Sequence, residues 1–164
     1  MGSPGKRGGQ VTPLSPSGRL ESVVAETFGP LLTEFNFRKA TGSELAPEAW
    51  VSYHNGTTAM TIHEEIGSEP WVKIGRLDRS SGRLVEGEGY SLSHVLSLRA
   101  PASEVSDQGG DAVALRDKLA EQAALVRKYC VDMLQGDFRV FPELQAIAQR
   151  QLESASGEPR NSPR

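Results

Sequence analysis

Asn55-Gly56, within WVSYHNGTTAMTIHEE, constrains the fold of this chain more than any other dipeptide in it. Both residues accept the positive φ that a two-residue hairpin turn demands. A tight turn there predicts His54 opposite Thr57, Tyr53 opposite Thr58, Val51 opposite Met60 and Trp50 opposite Thr61. One face of the ribbon then carries Val51, Tyr53, Met60 and Ile62. The other carries Trp50, Ser52, His54, Thr57, Ala59, Thr61 and His63. A one-residue slip would mix apolar and polar positions, so this separation supports the register. A third strand is expected over about 70–77 (PWVKIGRL), with Val72 beside Ile62 and Trp71 beside His63. Pro70 belongs at its start, where a missing donor costs least. The segment FRKAT supplies a short extended piece ahead of the hairpin, and 42–48 reads as a loop.

Helical spacing governs the flanks. Leu20, Val23, Val24, Phe28, Leu31, Leu32 and Phe35 form one stripe over 19–35. Pro30 should kink it near Gly29, and Asn36 should close it in the left-handed conformation. After a polar loop over 78–90 comes a short helix in SLSHVLSLRA, capped by Ser91 and ended before Pro101. A second loop covers 101–111. A long helix follows over about 111–135, with Leu115, Leu119, Gln122, Val126, Tyr129 and Met133 along one face and Gly136 as its stop. Pro142 opens a last amphipathic helix through Leu144, Ile147, Ala148 and Leu152. Strands grouped together rather than alternating with helices mark an α+β fold. The expected architecture is an N-terminal helix, an antiparallel sheet of three to four strands, then short, long and C-terminal helices packed on one sheet face. Residues 19–153 form the single domain. Residues 1–18 and 154–164, rich in Gly, Pro and Ser without apolar periodicity, read as disordered tails.

Composition narrows the function. Lys6, Arg7, Arg160 and Arg164 against Glu158 leave the tails at +3, so a whole-chain charge of −3 puts −6 on residues 19–153. An acidic body argues against nucleic acid as partner and suits a basic protein. Cys130 is the single cysteine, which excludes an internal disulfide and leaves no zinc pattern. No secretory signal and no run of about 18 apolar residues is present, so a cytoplasmic protein without a membrane partner is expected.

Little in the chain points to catalysis. His54 and His63 share a face, but the expected register separates them by roughly 20 Å along the ribbon, too far for one metal ion. Glu64 points to the opposite face from His63. Ser91, Ser93 and His94 lack an orienting third group and a nucleophile elbow, so they read as a helix start. Cys130 sits on an apolar stripe as a small buried hydrophobe. EGEGY and DQGGD do not match a phosphate cradle. No catalytic residue, metal or cofactor is therefore assigned. What remains is the second sheet face, where Trp50 opposite Thr61 and Trp71 opposite His63 lie two strands and one pleat repeat apart, with His63 and Lys73 beside them; tryptophan left exposed serves interfaces. These four are the candidate partner-binding residues. The alternative is a ligand pocket or small active site under loop 78–90, fed by Glu86, Glu88, His63 or His94. A further alternative is an accessory subunit tethered by its tails.

The helix end LLTEFNF, the strands WVSYHNGTTAMTIHEE and PWVKIGRL, and the late helix closing on MLQGDF together resemble the small bacterial α+β domains of the polymorphic-toxin immunity type. They are also similar in pattern to secretion-chaperone folds. The likeness spans residues 20–153. Asn36 stands where those domains have a glycine, and the strands that follow the middle helix in the chaperone-like fold are missing. The immunity-type resemblance implies a stoichiometric protein binder that blocks its partner without chemistry.

Overall fold

The computed structural model describes residues 15–45, 48–65, 67–102 and 114–156, with backbone alone for 41–45 and 156. Ser15 caps α1 (Pro16–Thr27), its hydroxyl accepting from Gly18 N at 3.1 Å. Proline at the first helical position is pre-set for the turn. Helix therefore takes in 16–18, which the sequence assigned to a tail; residues 1–14 lie outside the described residues. The chain breaks at Phe28 and resumes as α2 (Gly29–Glu34), because Pro30 has no N–H to give the Glu26 carbonyl. Asn36 at φ 56° ends α2. Phe37 N donates to Leu32 O and Asn36 N to Thr33 O, the paired bonds of a Schellman close.

Five antiparallel strands follow in sequential order: β1 (Arg38–Leu45), β2 (Glu48–His54), β3 (Thr58–Glu65), β4 (Trp71–Asp78) and β5 (Arg83–Ser91). The fold is α+β, with more strands than the three or four expected. β1 extends through residues read as loop, since pairing with β2 (Ser43 with Trp50, Leu45 with Glu48) organises a stretch that has no alternation of its own. Most of the presumed 78–90 loop is a hairpin arm. Asp78 organises its turn, accepting from Ser80 N, Ser80 Oγ and Ser81 Oγ, and these bonds hold its carboxyl down at about 2.

The β2–β3 register differs from the tight-turn expectation by two residues. His54 pairs with Ala59, Val51 with Ile62 and Trp50 with His63. A shift of two preserves the faces, which a shift of one would have exchanged. The cause is Asn55. Its Oδ1 accepts from Thr57 N and Thr58 N, and its Nδ2 donates to Phe35 O at 3.1 Å and Leu134 O at 2.8 Å. Thr58 Oγ1 adds a bond to Met133 O at 2.7 Å. The wider turn thus satisfies carbonyls at two helix C-termini, groups that no intrahelical donor reaches.

α3 (Leu92–Arg99), α4 (Leu115–Tyr129), α5 (Val131–Leu134) and α6 (Phe141–Ser156) complete the chain. The expected long helix is split at Cys130, where φ is −119°. Arg99 reaches across to hydrogen-bond Tyr129 O and to grip both carboxylate oxygens of Asp132 at 2.7 and 2.5 Å, and this drawn-out carbonyl marks the break. Gly136 at φ 84° closes α5, as expected. α6 keeps Leu144 and Ile147 inside, but Leu152 is 69% exposed and the helix runs on through 154–156, residues assigned to a tail; 157–164 lie outside the described residues, as does most of the expected 101–111 loop. One core gathers Leu20, Val24 and Phe28 of α1 and its end, Leu119 and Val126 of α4, Met133, Leu134 and Leu144, with Val51, Tyr53, Met60, Ile62, Val72, Ile74 and Tyr90 of the sheet. Every sheet residue in it belongs to the first face. Glu64 also lies on that face, and Arg19 of α1 closes an ion pair over it.

Candidate functional site

The second face is ordered in cross-strand rows. At one end Glu48 of β2 pairs with Glu65 of β3. The next row runs Trp50, His63, Trp71 across β2, β3 and β4. The one after runs Ser52, Thr61, Lys73, Ser91, with Ser52 Oγ and Thr61 Oγ1 3.0 Å apart. Expectation had put the indoles one pleat repeat apart. The two-residue shift aligns them in one row, at roughly 10 Å, two strand spacings.

Trp71 is 41% exposed, and its ring stacks on His63 with centroids 4.6 Å apart and planes inclined by 23°. Trp50 is half-buried. His63 is held between the indoles with its side chain 13% exposed, and Nε2 lies 3.4 Å from Glu48 Oε2. Glu48 was not singled out from the sequence, and Glu65 was weighed only as a metal ligand, because the approach of the two exists only in the shifted register. Like charges directly opposite in a ladder destabilise it. The His63 imidazole lies beside Glu48 of that pair. Lys73 stands on the far side of the row, so the face grades from acidic through aromatic to basic.

His54 and His63 are separated by four residues of ribbon, roughly 14 Å rather than 20. Among the described residues no three His, Cys, Asp or Glu side chains gather as a metal set. Ser91 N donates to His94 Nδ1 at 3.3 Å, and Ser91 Oγ lies 3.0 Å from the same nitrogen, so the pair starts α3 as expected. Burial first, then the Lys73 charge, push the His94 imidazole down, against a hydrogen bond to Gln151. Cys130 is fully buried and its thiol is pushed up to about 12 by desolvation, which keeps it protonated. Glu88, expected to feed a pocket, instead pairs with Arg76 at 2.6 Å across the β4–β5 ladder. Residues 83–91, expected as part of a covering loop, form a strand, and a cavity of about 280 Å³ lies between the start of β4, the first turn of α3 and Gln122 of α4.

Set against family models, curated proteins and solved structures, the chain matches none of them. Among the described residues no helix is long and apolar enough to cross a membrane.

Proposed function

We propose that this is a non-catalytic protein-binding domain, cytoplasmic and immunity-like, whose second sheet face grips a basic segment of its partner. One observation carries the reading: an exposed Trp71, pre-stacked on His63 and aligned with Trp50, beside two cross-strand carboxylates. Aromatic rings already fixed by stacking lose little conformational freedom on binding. A lysine or arginine of the partner would meet the indole face and the Glu48–Glu65 pair together, gaining cation–π attraction and relieving the carboxylate repulsion. Lys73 would face an acidic group of the same partner. A chaperone-like client or a larger assembly would use the same chemistry.

The test is affinity for the product of the gene adjacent to its own, measured by calorimetry. Trp50→Ala/Trp71→Ala is expected to lose at least tenfold, about 1.4 kcal/mol or more. Glu48→Gln/Glu65→Gln should weaken binding in a salt-dependent manner. A double tryptophan variant with native circular dichroism and undiminished affinity would remove this face as the binding surface.

A further inference from the structure

His63 and a docking cation draw on the same carboxylate. Nε2 of the imidazole lies 3.4 Å from Glu48 Oε2, well beyond the roughly 2.8 Å of a charge-assisted bond, so the ring does not saturate Glu48. The Glu48 side chain is 43% exposed and open to a second cation. The His63 side chain is mostly buried, and among the described residues its Nδ1 has no hydrogen-bond partner. An imidazolium carries a proton on both nitrogens, so a charged His63 would rely on Glu48 alone. The other charges around the ring are few. Glu65 lies two residues along β3, opposite Glu48. Lys73 of β4 stands one row away and repels a positive ring. Glu69, ahead of β4, is held by Lys118 of α4 at 3.0 Å. β1 places uncharged Ser43 opposite Trp50.

We propose that His63 makes the hold of this face on a basic partner depend on pH, firm while the imidazole is neutral and weakened once it takes a proton. The inference rests on the binding reading above and adds its regulation. Histidine is the side chain that ordinarily changes charge between about pH 5 and 8. A protonated His63 takes up Glu48 and sets a positive charge beside the docking cation. By linkage, the bound cation lowers the proton affinity of the ring. Binding is therefore full above the titration of the free protein's ring and weakens as the pH falls through it. Two unit charges about 7 Å apart, at an effective dielectric constant of about 40, repel enough to weaken binding roughly sevenfold.

The probe is acetyl-Arg-Arg-amide, whose guanidinium charge is constant over this range and whose blocked ends do not titrate. Titration of the ¹⁵N-labelled full chain, followed at the Trp71 indole N–H, should give an affinity roughly fivefold weaker at about pH 5.5 than at about pH 7.5. His63→Phe keeps a flat ring against Trp71 and cannot take a proton, so its affinities at the two pH values should agree. His54 and His94 remain in that variant and control for general charge. A second measurement needs no variant and keeps the test decisive if Phe does not fold. The midpoint of the His63 ring titration, read from its carbon-bound protons, should move down by about half a pH unit or more when the probe saturates the face. A saturable Trp71 shift with equal affinities at the two pH values, an unmoved His63 midpoint, or a pH dependence that persists in folded His63→Phe would overturn the inference and leave the binding reading standing. No saturable Trp71 shift at either pH would sink both.

Discussion

Asn55→Ala should destabilise the protein by about 3 kcal/mol in urea unfolding, with the slope of the transition unchanged. The substitution removes both donors to Phe35 O and Leu134 O and the acceptor that gathers Thr57 N and Thr58 N. Two helix-terminal carbonyls then lose their partner, and each part-buried one costs more than the net worth of an ordinary hydrogen bond. Asn55→Asp separates the two roles. It keeps the acceptor oxygen and so preserves the turn. It also brings a negative charge to the negative ends of α2 and α5, where the helix dipole repels it. Aspartate is therefore expected to rescue nothing, despite being the closest isostere. Rescue by aspartate would mean that the turn geometry, not the helix carbonyls, is what Asn55 serves.

Gly75→Ala should cost a similar amount, about 3 kcal/mol, and should loosen one edge selectively. Gly75 lies in β4 opposite Gly89 of β5. A Cβ there would run into the Glu88 carbonyl and come within 2.8 Å of Gly89 Cα. Both obstacles are backbone, so no rotamer change relieves them, and β5 must move away. Amide exchange should accelerate in β5 while β2 and β3 keep their protection. Gly29→Ala is the matching control. A Cβ at Gly29 meets nothing within 4 Å, and the residue lies in helical backbone, so alanine there should be neutral or mildly stabilising.

These two residues also mark the limit of what local pattern could reveal. Alternation sorted Val51, Tyr53, Met60 and Ile62 to the core and both tryptophans to the other face, and the β3–β4 pairing of Ile62 with Val72 and His63 with Trp71 followed from a tight turn at Gly67. The Pro30 break, the Asn36 and Gly136 stops and the Ser91 start were equally local. The hairpin register was not, because Asn55 spends its amide on carbonyls 20 and 79 residues away. β5 was not, because RLVEGEGYS has glycines where a strand usually has branched side chains; Gly87 serves a positive φ of 77°, and a Cβ on Gly89 would press on Lys73 of β4 at 3.3 Å. The Cys130 break depends on Arg99, some thirty residues upstream. The site divides in the same way. Trp50, His63, Trp71 and Lys73 could be placed on one face from their spacing. The approach of Glu48 and Glu65 becomes visible only when the strands are assembled.

The account rests on an indole, that of Trp71, which the fold leaves 41% exposed. Trp50→Phe leaves Trp71 as the sole tryptophan, and acrylamide quenching of its emission reads that exposure directly. Red-shifted emission with efficient quenching is the expected result, falling when the partner binds. Blue-shifted emission that resists acrylamide in the free protein would place Trp71 inside and contradict the proposed surface.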